Sequence, residues 1–204
     1  MIVQLAGPGN VFVALFRSHC SEPRLRSLLC GSPADVQEDC FNLACTRQHL
    51  QGLPAEKLLN LQPLQILNEA EVQRASKYLD DWSCSVKAKC SYEDLICHLG
   101  DNPNQWRTWS AVSGACPTLR RGGGVMFSPA AGRQCLLKEL YMGMGFPTFR
   151  GLADAAGVPL YQVFKPLQGL SYAHMRQALG NSQVVPQVGV FALCALASAR
   201  LQDA

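Results

Sequence analysis

Between Met175 and Gly189 the chain reads M-R-Q-A-L-G-N-S-Q-V-V-P-Q-V-G, a Gly-Asn-Ser bend followed by a proline-initiated apolar stretch. Pro186 opens a helix at little cost, because the first helical amide has no intrahelical partner and the ring presets the dihedral. The apolar run that follows, Val188 to Ala197, is ten residues long, half of the roughly 20 that a membrane-spanning helix needs. It therefore predicts a helix buried in a protein core, and other elements must cover it. Of the 204 residues, 48% are hydrophobic, enough for a packed core in one domain or in one domain plus a small satellite.

Upstream elements are less regular. Val11 to Phe16 is β-branched and aromatic, as in a buried strand, and Gly7-Pro8-Gly9-Asn10 precedes it. In a dinucleotide-binding turn the glycines would follow the strand and open a helix, so such a turn is not expected here. From Arg17 to about Leu67 the periodicity is poor, with Gly31-Ser32-Pro33 and Gly52-Leu53-Pro54 as punctuation, which predicts loop with short helical turns. The clearest helix follows. Asn68 and Glu71 form a capping-box start, and Val72, Ala75, Leu79 and Trp82 recur at helical spacing as one buried stripe. Later helices are predicted at Leu136 to Met144, ended by Gly145 and Pro147, at Gly151 to Ala156, and at Tyr172 to Leu179, stopped by Gly180.

A net charge of +3 excludes nothing, but its distribution is uneven. Between Arg107 and Arg150 the cations are Arg107, Arg120, Arg121, Arg133, Lys138 and Arg150, against Glu139 alone, a formal +5. Such a run is either a footprint for phosphate or a solvated face. It contains Pro117 to Phe127, in which Arg120 and Arg121 adjoin three glycines that permit close backbone approach. Trp106 and Trp109 flank Arg107 and either stack on bases or pack under a loop. The ten cysteines include no C-x-x-C pair and predict no zinc site. With no cationic start before the first apolar run, they are expected to be reduced, intracellular and mostly buried.

Three segments together resemble the DNA cytosine-5 methyltransferase family, in the family's order. Pro117-Thr118-Leu119 with Gly122 to Phe127 is similar to the Thr-Leu loop of the target recognition domain. Leu137 to Leu140 through Gly145-Phe146-Pro147 is similar to the segment whose helix supports that domain. Met175 to Pro186 resembles the final motif, whose Asn and Ser lie beside S-adenosylmethionine. The resemblance covers about Asp101 to Leu201. Lys138 and Met142 stand where the family shows arginines, and Gln183 stands where it shows valine.

The resemblance implies an α/β chain with part of a Rossmann-like methyltransferase fold and a small mixed target-recognition domain. Residues 1–17 would supply a strand of the cofactor-domain sheet, residues 18–134 the recognition-like domain, and residues 135–204 a helical part closing the cofactor domain. DNA contact is implied for Thr118, Arg120, Arg121, Gly122 and Gly123, and S-adenosylmethionine contact for Asn181 and Ser182. Methylation of carbon 5 needs a thiolate to attack carbon 6 of a flipped-out base. The family carries it in a Pro-Cys dipeptide, and this chain has none. No cysteine is therefore assigned to catalysis, and Glu139, His98 and His174 are expected to be structural. The chain is expected to be inactive alone, to bind DNA, to bind the methyl donor weakly or with an amino-terminal catalytic half as partner, and to be nuclear in a eukaryote. The alternative is a non-catalytic DNA-binding or regulatory module derived from the same family.

Overall fold

The computed structural model describes residues 25–85, 90–105, 116–120, 124–162 and 170–181. The expected strand at Val11 to Phe16, the tryptophans Trp106 and Trp109, and the helix opened by Pro186 lie outside these residues.

The first helix, α1 (Pro33–Cys45), occupies a region where the sequence reading expects loop. Gly31-Ser32-Pro33 looks like turn punctuation but is a helix start. Ser32 Oγ accepts from the Asp35 amide, the Asp35 carboxylate accepts from the Ser32 amide, and Pro33 sits in the first turn, where no amide is needed. A 3-10 turn at Gln48–Leu50, the short helix α2 (Ala55–Leu59) and a 3-10 turn at Pro63–Ile66 follow.

Helix α3 (Glu69–Ser83) has the predicted Asn68–Glu71 capping box. Its buried stripe is displaced from the expected one. Glu71, Ala75 and Tyr78 are buried, Leu79 and Trp82 are partly covered, and Val72 remains 48% exposed. Tyr78 is fully enclosed, and burying a side chain of that size is worth about 2 kcal/mol. The spacing is right and the phase is wrong. An aromatic at Tyr78 buries more area than Val72, and the helix turns to enclose it.

Three very short strands, β1 (Cys97–His98), β2 (Met126–Ser128) and β3 (Arg133–Gln134), form an antiparallel sheet in the order β1-β2-β3. Cys97 pairs with Phe127, and Phe127 with Gln134. The sheet divides the core by the two-residue alternation of extended chain. Leu95, Cys97, Leu99, Val125 and Phe127 pack toward α3, whereas Ile96, Met126 and Cys135 join α1 and the carboxyl-terminal helices. Helices and strands are both present, so the chain is α/β in the broad sense.

Helix α4 (Leu137–Gly143) begins one residue beyond the predicted start. Gly145, at φ 90°, reverses the chain in a conformation that side chains disfavour. Phe146 then donates its amide to Tyr141 O at 3.1 Å and packs its ring on Tyr141 and Tyr161. Helix α5 (Arg150–Ala156) follows, and then α6 (Tyr172–Asn181). Gly180 does not stop α6 as expected. Both Gly180 and Asn181 are helical, so this part of the expected Gly-Asn-Ser bend is a helix end. One core cluster unites Cys40, Leu43 and Met126 with Leu140, Tyr141, Met175 and Leu179, crossing the domain boundary expected at 134/135.

Candidate functional site

Two buried acids fix the elements that carry the site. Glu139, fully enclosed on α4, accepts from both terminal guanidinium nitrogens of Arg133 at 2.9 and 2.7 Å, and from the amides of Gly31 and Leu136. It is structural, as expected from its place in the sequence. Asp39, on α1, accepts from the Leu137 amide and the Tyr172 hydroxyl at 2.9 Å each, and from the Gln134 amide at 3.3 Å. It ties α1 to the start of α4 and to α6. Burial pushes its carboxyl above the ordinary range, opposed by these hydrogen bonds.

The glycine-rich loop and α6 meet on this frame. Arg176, on α6, donates Nη2 to Gly124 O at 2.8 Å. Leu119, Arg120, Gly124, Arg176, Leu179 and Gly180 wall a common cavity of about 20 Å³, with His98, Met126 and Leu140 completing it. That volume takes about one water and no larger molecule. Gly124 also packs against Gly100, and a Cβ on either would overlap the other's backbone. The close crossing of these two segments therefore requires both glycines.

Of the residues expected at the site, Thr118 and Arg120 are exposed beside this cavity, and Asn181 is exposed at the end of α6. Arg121, Gly122, Gly123 and Ser182 lie outside the described residues. Arg120 forms a bidentate pair with Asp101, at 2.8 Å for each bond. The basic run is similarly dispersed. Arg133 is buried on Glu139, Lys138 reaches Asp35 at 2.9 Å and lies over the Phe149 ring, and Arg150 faces Asp154 at 3.9 Å. The four described cations of the run thus have carboxylate partners, two of them on segments that precede it. A run of +5 in sequence is not a patch of +5 in space.

A cleft of about 270 Å³ opens on the far side of Gly124, lined by Glu71, Arg74, His98, Leu99, Gly100, Asp101, Arg120 and Gly124. Arg74, on α3, donates one bond to Leu99 O at 2.8 Å. Glu71 is held by Arg47 at 3.0 Å. His98 is buried, and its Nδ1 has no hydrogen-bond partner, although Asp101 Oδ2 lies 3.5 Å away. Burial holds the imidazole below its ordinary value, Asp101 opposing and Arg120 and Arg176 assisting. Sequence reasoning assigned no site role to Arg74 or His98. Arg74 lies in a helix whose capping and stripe explain it without a ligand, and only the fold carries it to the loop.

Burial pushes Cys97 up to about 12 and raises Cys40 and Cys135. The expectation that the cysteines are mostly buried is corrected, because Cys30, Cys45, Cys84 and Cys116 are exposed. They lie at helix ends and in loops, where a small side chain need not be covered. Among the described residues no group of three or more His, Cys, Asp or Glu side chains is placed to hold a metal, and no helix is long and apolar enough to cross a membrane.

The chain matches no family model, no curated protein and no solved structure in the three comparisons made.

Proposed function

We propose that this chain is the carboxyl-terminal portion of an S-adenosylmethionine-dependent DNA cytosine-5 methyltransferase. In this reading it supplies DNA recognition and one wall of the cofactor pocket as part of a Rossmann-like fold whose catalytic half is missing. The observation that carries the reading is the Arg176–Gly124 hydrogen bond. It joins two segments, the Thr-Leu loop and the final motif, that resemble the family separately in sequence and line one cavity in space. Duplex would lie on the outer side of the loop, over Thr118 and Arg120. Asn181 would face the donor from the end of α6. A partner chain or preceding segment would supply the thiolate, the acid and the glycine turn that grips methionine.

A second reading, a DNA-binding module without a cofactor, is favoured by the size of the cavity between the two segments. Space for about one water excludes a nucleoside from that position.

The test is a methyl-transfer assay on cytosine-containing duplex, together with a titration of S-adenosylmethionine. The chain alone transfers no methyl group, and transfer by the purified chain would contradict the absence of a nucleophile. Saturable donor binding favours the cofactor-wall reading, whereas DNA binding with none favours the module. Arg120→Ala and Arg121→Ala are expected each to weaken duplex binding several-fold. Unchanged affinity in both would remove the proposed loop contact.

A further inference from the structure

We infer that Asp39 and Gln134 form a proton-driven switch at the junction of α1, β3, α4 and α6, in which uptake of a proton by Asp39 turns the Gln134 amide over and loosens the start of α6. The two residues are 4% and 1% exposed, and every described partner of the carboxylate is a neutral donor. Oδ1 has both lone pairs engaged, because the Leu137 amide and the Tyr172 hydroxyl each donate to it at 2.9 Å. Among the described residues Oδ2 accepts from Gln134 Nε2 alone, at 3.3 Å, and is therefore the oxygen that takes the proton. Once bound there, that proton faces an N–H donor and meets no lone pair.

Gln134 holds the acceptor in reserve. Its Oε1 is buried without a hydrogen bond, while Nε2 points at Asp39 Oδ2 and Cys40 Sγ, both at 3.3 Å. The two ends of the amide match in size, so a half-turn about the last side-chain bond exchanges them without new volume. Oε1 then accepts from Asp39 Oδ2–H and from the Cys40 thiol, whose proton burial retains. The carboxyl is now neutral, and hydrogen bonds to a neutral acceptor are roughly half as strong as those to an ionised one. The Leu137 and Tyr172 bonds weaken together. Tyr172 opens α6, and Arg176, which holds Gly124 O, follows one turn later on the same face. Tyr141 still ties α6 through Met175 O at 3.1 Å, so the helix slackens at its start and keeps its place.

The other titratable and charged groups around the carboxyl are Cys40, Asp35 and Glu38 on α1, Arg133 on β3, Lys138 on α4, and Tyr172 and Arg176 on α6. Arg133 and Lys138 are paired with Glu139 and Asp35. Burial raises Tyr172 as it raises Cys40, so neither releases its proton in the acid range. The full chain is titrated from pH 8 to pH 4, with the Asp39 carboxyl carbon and the Gln134 side-chain amide followed by NMR. Both signals are expected to move with one midpoint, and amide exchange at Arg176, corrected for its intrinsic rate, to quicken about threefold across it. Asp39→Asn should show the acid-form Gln134 signal at every pH; if that variant is poorly folded, the wild-type titration decides. An Asp39 carbon that does not titrate in this range overturns the switch, and so does a Gln134 signal that stays constant while Asp39 titrates. A Gln134 change that Glu38→Gln abolishes overturns the assignment of the proton to Asp39. Exchange at Arg176 that ignores the midpoint overturns the coupling to α6. None of these readouts involves DNA, so the switch stands or falls apart from the proposed function.

Discussion

Asp39 shows how much one side chain holds. Its removal by Asp39→Ala leaves the Leu137 amide and the Tyr172 hydroxyl buried without partners, and a buried unsatisfied group costs about 1–3 kcal/mol. A loss of about 2–6 kcal/mol in urea unfolding is expected from the two together. Asp39→Asn is expected to lose less than about 1 kcal/mol at neutral pH. Its oxygen keeps both donors, and its amide replaces the Oδ2 that accepts from Gln134 Nε2, so the Gln134 side chain must flip to present Oε1, a buried atom without a hydrogen bond. The pH dependence has a definite sign. Burial raises the native Asp39 carboxyl above 3.8, so the native state binds that proton more tightly than the unfolded chain. Its stabilisation is present below 3.8 and is lost as pH rises through the native value. The stability of Asp39→Asn relative to wild type should therefore improve as pH is raised from about 4; a constant difference would contradict a raised carboxyl.

His98 works in the opposite sense. Its native imidazole is held below 6.5, so the unfolded chain binds that proton more readily. Stability from His98 is present above 6.5 and is lost as pH falls toward the native value. Unfolding free energy measured between pH 8 and pH 5 should decline in wild type and decline less in His98→Phe. Equal slopes would show that the ring gains its proton freely in the folded protein.

At the level of elements, the sequence was informative wherever local chemistry decides the outcome. The Asn68–Glu71 cap, the Gly145 reversal and the short helix at 150–156 were all legible, because each depends on residues within one turn of the chain. Helix α1 carries an equally plain start in Ser32, Pro33 and Asp35, but the same residues also open turns, and the weakly periodic residues after them hid the helix. Residue type alone predicts a stop at Gly180. In the structure it lies within α6 and lines the small cavity with Leu119 and Met126. The phase of the α3 stripe likewise depended on which face the sheet presents to it. Ser32→Ala and Asn68→Ala are each expected to cost about 1 kcal/mol, measurable as a shift in the urea midpoint. Gly124→Ala should cost about 1–3 kcal/mol through overlap with Gly100, and a neutral result would mean that the two segments do not cross so closely.

For the whole molecule, linear charge was the least reliable guide. The cations of the 107–150 run that are described meet carboxylates, and Asp35 and Asp101 come from segments that no local pattern connects to it. The candidate site was legible as two separate motifs, while the hydrogen bond that unites them and the Arg74 cleft behind them emerge only from the packing of α3, the sheet and α6. Under the proposed function, this assembled surface grips DNA through its phosphates. The most direct test is the affinity of the chain for a duplex oligonucleotide measured from 50 to 200 mM salt. If two or three phosphates are neutralised, log affinity falls against log salt with a slope of about −2 to −3. A flat dependence, or no binding at 50 mM, would contradict it.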